Sequence, residues 1–179
     1  MPIDVKGILY WAIDEIGKEK IRMEVIAEIE RSVGYCNKIL KKCKSNLGSE
    51  VDDETLGILC EALLHFMLTI SVLPSERKVN WKGADLDIVV PSLRLLNKSP
   101  IKTLVIQIIR TEAELTKIKR AESVQPHYEN IWIVSARQLN IDHKNYYIGS
   151  AHSSYCKIIS DINTFLVQKG DRAFKLLHE

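Results

Sequence analysis

The chain has 179 residues, of which 46% are hydrophobic and 27% are charged. This composition is typical of a globular protein and excludes a disordered chain. The net charge of +2 does not by itself indicate a nucleic-acid partner, although residues 74–145 contain 12 basic and 8 acidic residues. No apolar run approaches the roughly 20 residues that span a bilayer, and the first residues show no signal-peptide pattern. We therefore expect a cytoplasmic protein with no membrane segment.

Residues 1–48 are predicted to form a helical extension of two helices. The first has apolar residues at helical spacing from Val5 to Ile16 and ends at Gly17. The second is longer and has one apolar seam that runs from Ile21 to Cys43. This seam is long for a helix that covers a small sheet. It indicates either a homodimer or partner surface, or a helix that simply packs on the core.

Residues 49–179 are predicted to form one α/β domain. A buried helix is predicted to start at Asp53, and three strands follow it over residues 78–82, 84–90 and 103–110. A capping box at Thr111 to Glu114 then opens a second helix. The chain continues with a strand over residues 131–135, a possible edge strand over 146–148, and a last helix that ends at Gly170. A strand, a crossover helix and a further strand indicate a mixed sheet with helices packed against it.

Polar side chains occur within two of the apolar strands. Because strand residues alternate between faces, Asp85 and Asp87 share a face, and Asp87 lies next to Gln107 if the two strands pair. Such groups are costly to bury without partners. A divalent cation, Mg²⁺ or Mn²⁺, is one partner that suits carboxylate and amide oxygens. Alternatively, Asp87 caps a turn or pairs with Lys78 or Lys82 across the hairpin, and Gln107 bonds to a neighbouring side chain in the sheet.

A third polar residue lies on the largely buried helix that precedes these strands. On a helical wheel, Glu61 falls on the side of Leu64 and Leu68 and not opposite the apolar face. Glu61 either joins Asp87 in one site or pairs with His65 at the i+4 position.

These features resemble the PD-(D/E)XK nuclease superfamily, which includes restriction endonucleases, RecB-type nucleases and archaeal Holliday-junction resolvases. The similarity covers residues 53–166 in the order of elements, and its motifs fall within residues 83–110, where Asp87 begins the sequence Asp-Ile-Val-Val-Pro. The resemblance implies a restriction-endonuclease-like fold. It also implies that Glu61 is the accessory helix acid, that Asp87 binds the metal ion, and that Gln107 begins the third motif.

The chain departs from the superfamily at Ile109, where the pattern has a lysine two residues after the acid or Gln. That lysine is expected to position the attacking water and to offset charge in the transition state, which isoleucine cannot do. Arg110 is adjacent, but alternation places it on the opposite face. The residues that could replace the lysine are Lys117 and Arg120 on the following helix, and Lys78 and Lys82 on the first strand.

Two functional hypotheses follow. The first is a DNA endonuclease that depends on Mg²⁺ or Mn²⁺ and has a weakened or rearranged site. In it Asp87, Gln107 and Lys117 are catalytic, and Glu61, Asp87 and Gln107 hold the metal ion. Its DNA-binding residues are Lys78, Lys82, Arg110, Lys117 and Arg120. The second is a nuclease-fold protein without catalytic activity that serves as a nucleic-acid-binding or protein-assembly module.

Overall fold

The computed structural model describes residues 2–149 and 154–169. Within these residues, a five-stranded mixed sheet has α-helices on both faces, which confirms the predicted α/β class. Gly170, predicted to end the last helix, lies outside the described residues. In the described part of the chain, no helix is long and apolar enough to cross a membrane.

Four helices precede the sheet. They are α1 (Val5–Ile16), α2 (Lys18–Ala27), α3 (Arg31–Leu47) and α4 (Asp53–Ile70). Gly17 ends α1 with a φ of 104°, a left-handed conformation that favours glycine. The Asp52 carboxylate caps α4 by accepting a hydrogen bond from Thr55 N–H at 2.7 Å. Both of these helix ends agree with the sequence pattern.

The single helix predicted from Ile21 to Cys43 is wrong, because the chain breaks between α2 and α3. Glu28 adopts an extended conformation at the break, although neither glycine nor proline occurs there. Arg31 stabilises the break, since its guanidinium pairs with Glu28 at 2.9 Å and with Glu24 at 3.1 Å. The sequence pattern shows only the apolar seam, which continues across the break.

The sheet follows chain order from edge to edge. Its strands are β1 (Glu76–Trp81), β2 (Ala84–Val90), β3 (Leu104–Ile109), β4 (Ile131–Ser135) and β5 (Lys144–Tyr147). The β1–β2 and β2–β3 pairs are antiparallel, whereas the β3–β4 and β4–β5 pairs are parallel. Lys82 and Gly83 connect β1 to β2 with φ values of 50° and 81°, as a two-residue hairpin turn requires.

The connections between strands differ in detail from the prediction. The remaining helices are α5 (Leu93–Lys98), α6 (Thr116–Glu122) and α7 (Ile158–Lys169). The sequence pattern missed α5, which begins where Ser92 Oγ accepts from Leu95 N–H at 3.2 Å. α6 starts later than predicted, because Glu112–Leu115 form a 3₁₀ turn. The edge strand β5 begins two residues before the predicted start at residue 146.

The helices divide between the two faces of the sheet. One face packs on α1 to α4 and α7 through residues such as Ile106 and Ile108. The other face packs on α5 and α6 through residues such as Val105 and Ile109. The seam predicted from Ile21 to Cys43 lies inside the first core, so this seam packs on the chain itself and is not exposed to a partner. The boundary between residues 48 and 49 stays a prediction.

Helix α4 approaches the end of β3 closely at Gly57. A Cβ atom at Gly57 would lie 2.7 Å from Cγ and 3.0 Å from Cα of Arg110, which is closer than packed side chains come. Gly34 on α3 is different, because a Cβ atom there would meet nothing within 4 Å. The absence of a side chain at Gly57 therefore allows α4 to lie against the residue that follows β3.

We predict opposite effects for alanine at these two glycines. Gly57→Ala lowers the free energy of unfolding by roughly 1–3 kcal/mol, because the new methyl group must displace Arg110. Gly34→Ala raises it by about 0.5–1 kcal/mol, because alanine loses less conformational entropy than glycine in a helix. Urea denaturation of both variants measures these changes. A Gly57→Ala variant as stable as the wild type would contradict the close approach.

Candidate functional site

The hydrogen-bond ladder between β2 and β3 stops at the pair Ile88 and Ile106. Beyond it, side chains replace the ladder. The Gln107 amide accepts from Asp87 N–H at 2.8 Å and donates to the Asp85 carbonyl at 3.1 Å. The Asp87 carboxylate in turn accepts from the backbone N–H that follows Gln107 at 2.8 Å. We call this region, where Asp87 and Gln107 bridge the two strands, the strand gap.

Gln107 is the internal support of the strand gap. Its side chain is 0% exposed, and its amide is satisfied by three backbone groups, since Nε2 also donates to the Lys117 carbonyl at 3.2 Å. The structure thus places Asp87 beside Gln107, as strand alternation predicts. The bonds between them differ from the expectation, because each side chain pairs with the opposite backbone rather than with the other side chain.

Lys117 brings an ammonium group into the strand gap from α6. Its Nζ donates to Asp87 Oδ2 at 3.1 Å and to the Ile108 carbonyl at 3.0 Å. The Lys117 side chain is 21% exposed and that of Asp87 13%, so the pair lies near the surface without being fully solvated. Ile109 occupies the strand position two residues after Gln107 and is buried in the second core. A cation from the helix therefore lies where strand β3 supplies none.

Glu61 approaches the same region from α4 on the other face of the sheet. Its carboxylate lies 2.6 Å from Lys78 Nζ and 3.7 Å from Arg110 Nη1. The pairing of Glu61 with His65, which the sequence left open, is therefore replaced by an ion pair with β1. Lys78 lies between Arg77 and Val79, which pair with Ile88 and Leu86, and it has a φ of 50°, a conformation uncommon outside glycine. Such distortions recur in strands next to polar sites.

Glu114 is a site residue that the sequence pattern did not identify. The sequence pattern predicts a capping box with Thr111, but Glu114 accepts a hydrogen bond from Arg110 N–H at 2.6 Å instead. It also pairs with the Arg110 guanidinium at 3.2 Å and lies 3.7 Å from Lys117 Nζ. Thr111 makes no side-chain cap bond. The 3₁₀ turn before α6 accounts for this difference, because it turns Glu114 back toward the end of β3.

The charges in this cluster shift three pKa values. Burial raises the pKa of Glu61, but Lys78, Arg110 and Lys117 outweigh it and leave that pKa below its ordinary value. Burial also raises the pKa of Glu114, yet hydrogen bonds from Arg110 lower it overall. Burial lowers the pKa of Arg110, but its acidic neighbours raise it overall. Both glutamates are therefore ionised and the arginine is charged at neutral pH.

The other predicted nucleic-acid-binding residues lie at different distances from the strand gap. Lys82 is exposed at the hairpin turn, with its Nζ 5.5 Å from the centre of the Trp81 ring. Arg120 is exposed one turn beyond Lys117 on α6. Beside Arg110 runs a groove of about 500 Å³, whose lining also includes Asp53 and Arg137. The structure therefore gathers Lys78, Arg110 and Lys117 around the gap, with Lys82 and Arg120 further out on the surface.

The oxygen atoms of the strand gap fit a divalent cation in part. Among the described residues, no three His, Cys, Asp or Glu side chains form a metal-binding group. Glu61 faces Lys78 and Arg110, and the buried Gln107 amide oxygen accepts from Asp87 N–H, which leaves the partly accessible Asp87 carboxylate as the predicted metal ligand of the gap. Mg²⁺ commonly binds proteins through one or two carboxylates together with substrate phosphates and water. The residues therefore fit an ion that arrives with a phosphate better than a fully protein-built metal site.

Comparison of the chain with protein-family models, with curated proteins and with solved structures found no match. Membership of the PD-(D/E)XK superfamily therefore stays a prediction from the order of elements and from Glu61, Asp87 and Gln107.

We predict that Gln107→Leu lowers the free energy of unfolding by roughly 2–4 kcal/mol. The leucine leaves three backbone groups, on Asp85, Asp87 and Lys117, without their buried partner, and each such group costs about 1–3 kcal/mol, partly relieved by relaxation. Ile109→Leu on the same strand is the matched control, because a core swap of equal volume costs less than about 1.5 kcal/mol. Chemical denaturation of both variants measures the difference. Equal losses would show that the amide bridge is not required.

We also predict that the stabilising effect of Glu61 depends on pH. Because its folded pKa lies below the ordinary value of 4.5, its contribution is present above that value and is lost as the pH falls through the folded pKa. Glu61→Gln is therefore less stable than the wild type by roughly 1–2 kcal/mol at neutral pH, and the gap closes in acid. Denaturation at several pH values measures this, with the exposed Glu50→Gln as the control for loss of a charge. A gap that widens in acid would contradict the assignment.

Proposed function

We propose that this protein is a nuclease-like, nucleic-acid-binding domain with a restriction-endonuclease-like core, and that its strand gap binds a phosphodiester of DNA and hydrolyses it with Mg²⁺ or Mn²⁺. The order of α4, β1 to β3, α6 and β4 supports the core assignment, since it matches the order of elements in the PD-(D/E)XK superfamily. The parallel pairing of β3 with β4 through the crossover helix α6 supports it further.

The position of Lys117 is the single observation that supports this function most strongly. The sequence has isoleucine where the superfamily has its lysine, yet an ammonium group lies 3.1 Å from the Asp87 carboxylate. Two hydrogen bonds hold Lys117 in this position. Its backbone carbonyl accepts from the Gln107 amide, and its ammonium group donates to the Ile108 carbonyl. A lysine from α6 thus supplies the charge that Ile109 cannot.

The chemistry of the strand gap suits a phosphate group. A divalent cation, when bound, would polarise a phosphoryl oxygen and acidify its water; the Asp87 carboxylate would hold it, and Gln107 would position Asp87 through its bond to the Asp87 N–H. An ammonium group has three donors, and Lys117 uses two of them at 3.1 and 3.0 Å, on Asp87 and Ile108. Its other contacts are longer, at 3.5 Å to Asp87 Oδ1 and 3.7 Å to Glu114, so a phosphate oxygen would compete with these two carboxylates for the third donor. A fixed cation there stabilises the charge that develops during hydrolysis.

A second candidate function is DNA binding without cleavage, and the charge balance of the cluster favours it. The three carboxylates of Glu61, Asp87 and Glu114 are matched by the cations of Lys78, Arg110 and Lys117. A neutral cluster attracts a divalent cation less than an acidic one does. In this alternative, Lys117 permanently neutralises Asp87 and no metal ion enters the gap.

A cleavage assay separates the two candidates. Purified protein is incubated with linear duplex, single-stranded and four-way-junction DNA in the presence of Mg²⁺ or Mn²⁺. We expect cleavage of at least one substrate, and we expect Lys117→Met and Asp87→Asn to slow it by about a hundredfold or more, as loss of one group that stabilises the transition state does.

Lys119→Met is the matched control, since Lys119 is exposed two residues along the same helix. We expect it to change the rate by no more than about twofold, as for a surface substitution away from the site. Cleavage that survives Lys117→Met unchanged would refute the catalytic assignment of Lys117. Binding of DNA with no cleavage of any substrate would support the second candidate instead.

A further inference from the structure

Helix α3 has an unusual charge distribution. Residues 31–49 contain five basic residues and no acidic residue. Lys38, Lys41 and Lys42 are spaced along the helix so that they share one face with Ser45. These four residues, together with Ile16 at the end of α1, line a groove of about 320 Å³. We call this the α3 groove.

The lysines of the α3 groove differ from those of the strand gap. Lys78 and Lys117 at the gap are each paired with a carboxylate. Within the described ranges 2–149 and 154–169, Lys38, Lys41 and Lys42 form no ion pair with an acidic side chain. Their charges are therefore available to an anionic ligand.

The helix dipole does not account for these lysines. Cations are favoured within the last helical turn, and on α3 that position is held by Lys44, which also donates to the Ile148 carbonyl at 2.7 Å. Lys38, Lys41 and Lys42 lie before the last turn, and like charges at this spacing repel each other. No carboxylate among the described residues therefore offsets the repulsion within the cluster, and the internal contacts of Lys38 and Lys42 are with the rings of Tyr35 and Trp11.

An exposed aromatic ring borders the α3 groove. Trp11 on α1 is 44% exposed, and the Nζ of Lys42 lies 5.5 Å from the centre of its ring. A positively charged groove next to an exposed aromatic ring is the arrangement by which proteins bind single-stranded nucleic acid, with lysines on the phosphates and a base stacked on the ring. The lysines span about 6 Å along the helix, the scale of the spacing between neighbouring phosphates.

We propose that the α3 groove binds single-stranded nucleic acid, with Lys38, Lys41 and Lys42 on the phosphates and Trp11 stacked on a base. A single strand fits better than a duplex, because a base must be unstacked to lie on an indole ring. It fits better than a membrane surface, because three lysines are fewer than the roughly four to eight basic residues that bind anionic membrane surfaces. This site lies on the N-terminal helices and does not rest on activity at the strand gap.

Fluorescence anisotropy with a labelled oligothymidylate tests the site. The full chain is titrated in EDTA, so that metal-dependent cleavage plays no part, at salt concentrations from about 50 to 200 mM. We expect K38Q/K41Q/K42Q to weaken binding at least about tenfold and to reduce the slope of log affinity against log salt by about 2, as loss of three phosphate contacts predicts for a single strand. Its Tm should stay equal to or above that of the wild type.

The matched control is K20Q/K98Q/K157Q, which removes the same charge from exposed lysines on other elements. We expect it to change affinity by no more than about twofold. Trp11→Ala should weaken binding at least about fivefold, whereas Trp11→Phe should retain most of it. Equal weakening by the two triple variants would overturn the proposal. The proposal would also be overturned if the wild-type protein did not bind the oligonucleotide but bound phosphatidylserine vesicles through these lysines.

Discussion

A buried amide between two strands determines how the candidate site is built. Gln107 is enclosed in the sheet, and its amide bonds to the backbone of Asp85, Asp87 and Lys117. It therefore fixes three things at once: the separation of β2 from β3, the position of the Asp87 carboxylate, and the packing of α6 on the sheet. The bridge ties the Lys117 backbone to β2 and β3, in addition to the packing of Ile118 and Ala121 in the second core.

The second constraint is electrostatic. Glu61 arrives from α4, Asp87 from β2 and Glu114 from the turn before α6, and each is matched by a cation. Gly57 allows α4 to lie against Arg110, which brings Glu61 of that helix to 3.7 Å from the Arg110 guanidinium. Because the positive and negative charges of the cluster balance, the cluster is stable without a ligand. A phosphate that binds together with a divalent cation adds negative and positive charge in nearly equal amounts, so it leaves this balance almost unchanged. The same arrangement is thus compatible with binding of DNA with or without cleavage.

The sequence pattern predicted the parts of the fold that depend on local periodicity. The limits of β2 and β4, the end of α1 at Gly17 and the start of α4 after Asp52 all follow from alternation, turn residues and caps. The sequence pattern did not predict features that have no signal in the neighbouring residues. The break at Glu28 has no glycine or proline, and the apolar pattern does not show that Arg31 pairs with Glu28 and Glu24 around it.

The candidate site was predictable to a similar extent. Alternation places Asp87 next to Gln107, and the missing lysine at Ile109 is visible in the sequence. The sequence does not show which residue replaces that lysine, because the answer depends on how α6 packs on the sheet. The role of Glu114 was hidden for the same reason, since a 3₁₀ turn rather than a regular helix follows Thr111.

A crystal structure of the protein with Mn²⁺ and a short DNA would test most directly whether the strand gap is a phosphodiester site. We expect the anomalous signal of Mn²⁺ next to the Asp87 carboxylate, with a DNA phosphate oxygen within hydrogen-bond distance of Lys117 Nζ. DNA bound elsewhere, with the ion pair between Lys117 and Asp87 unchanged and no Mn²⁺ in the gap, would contradict this account.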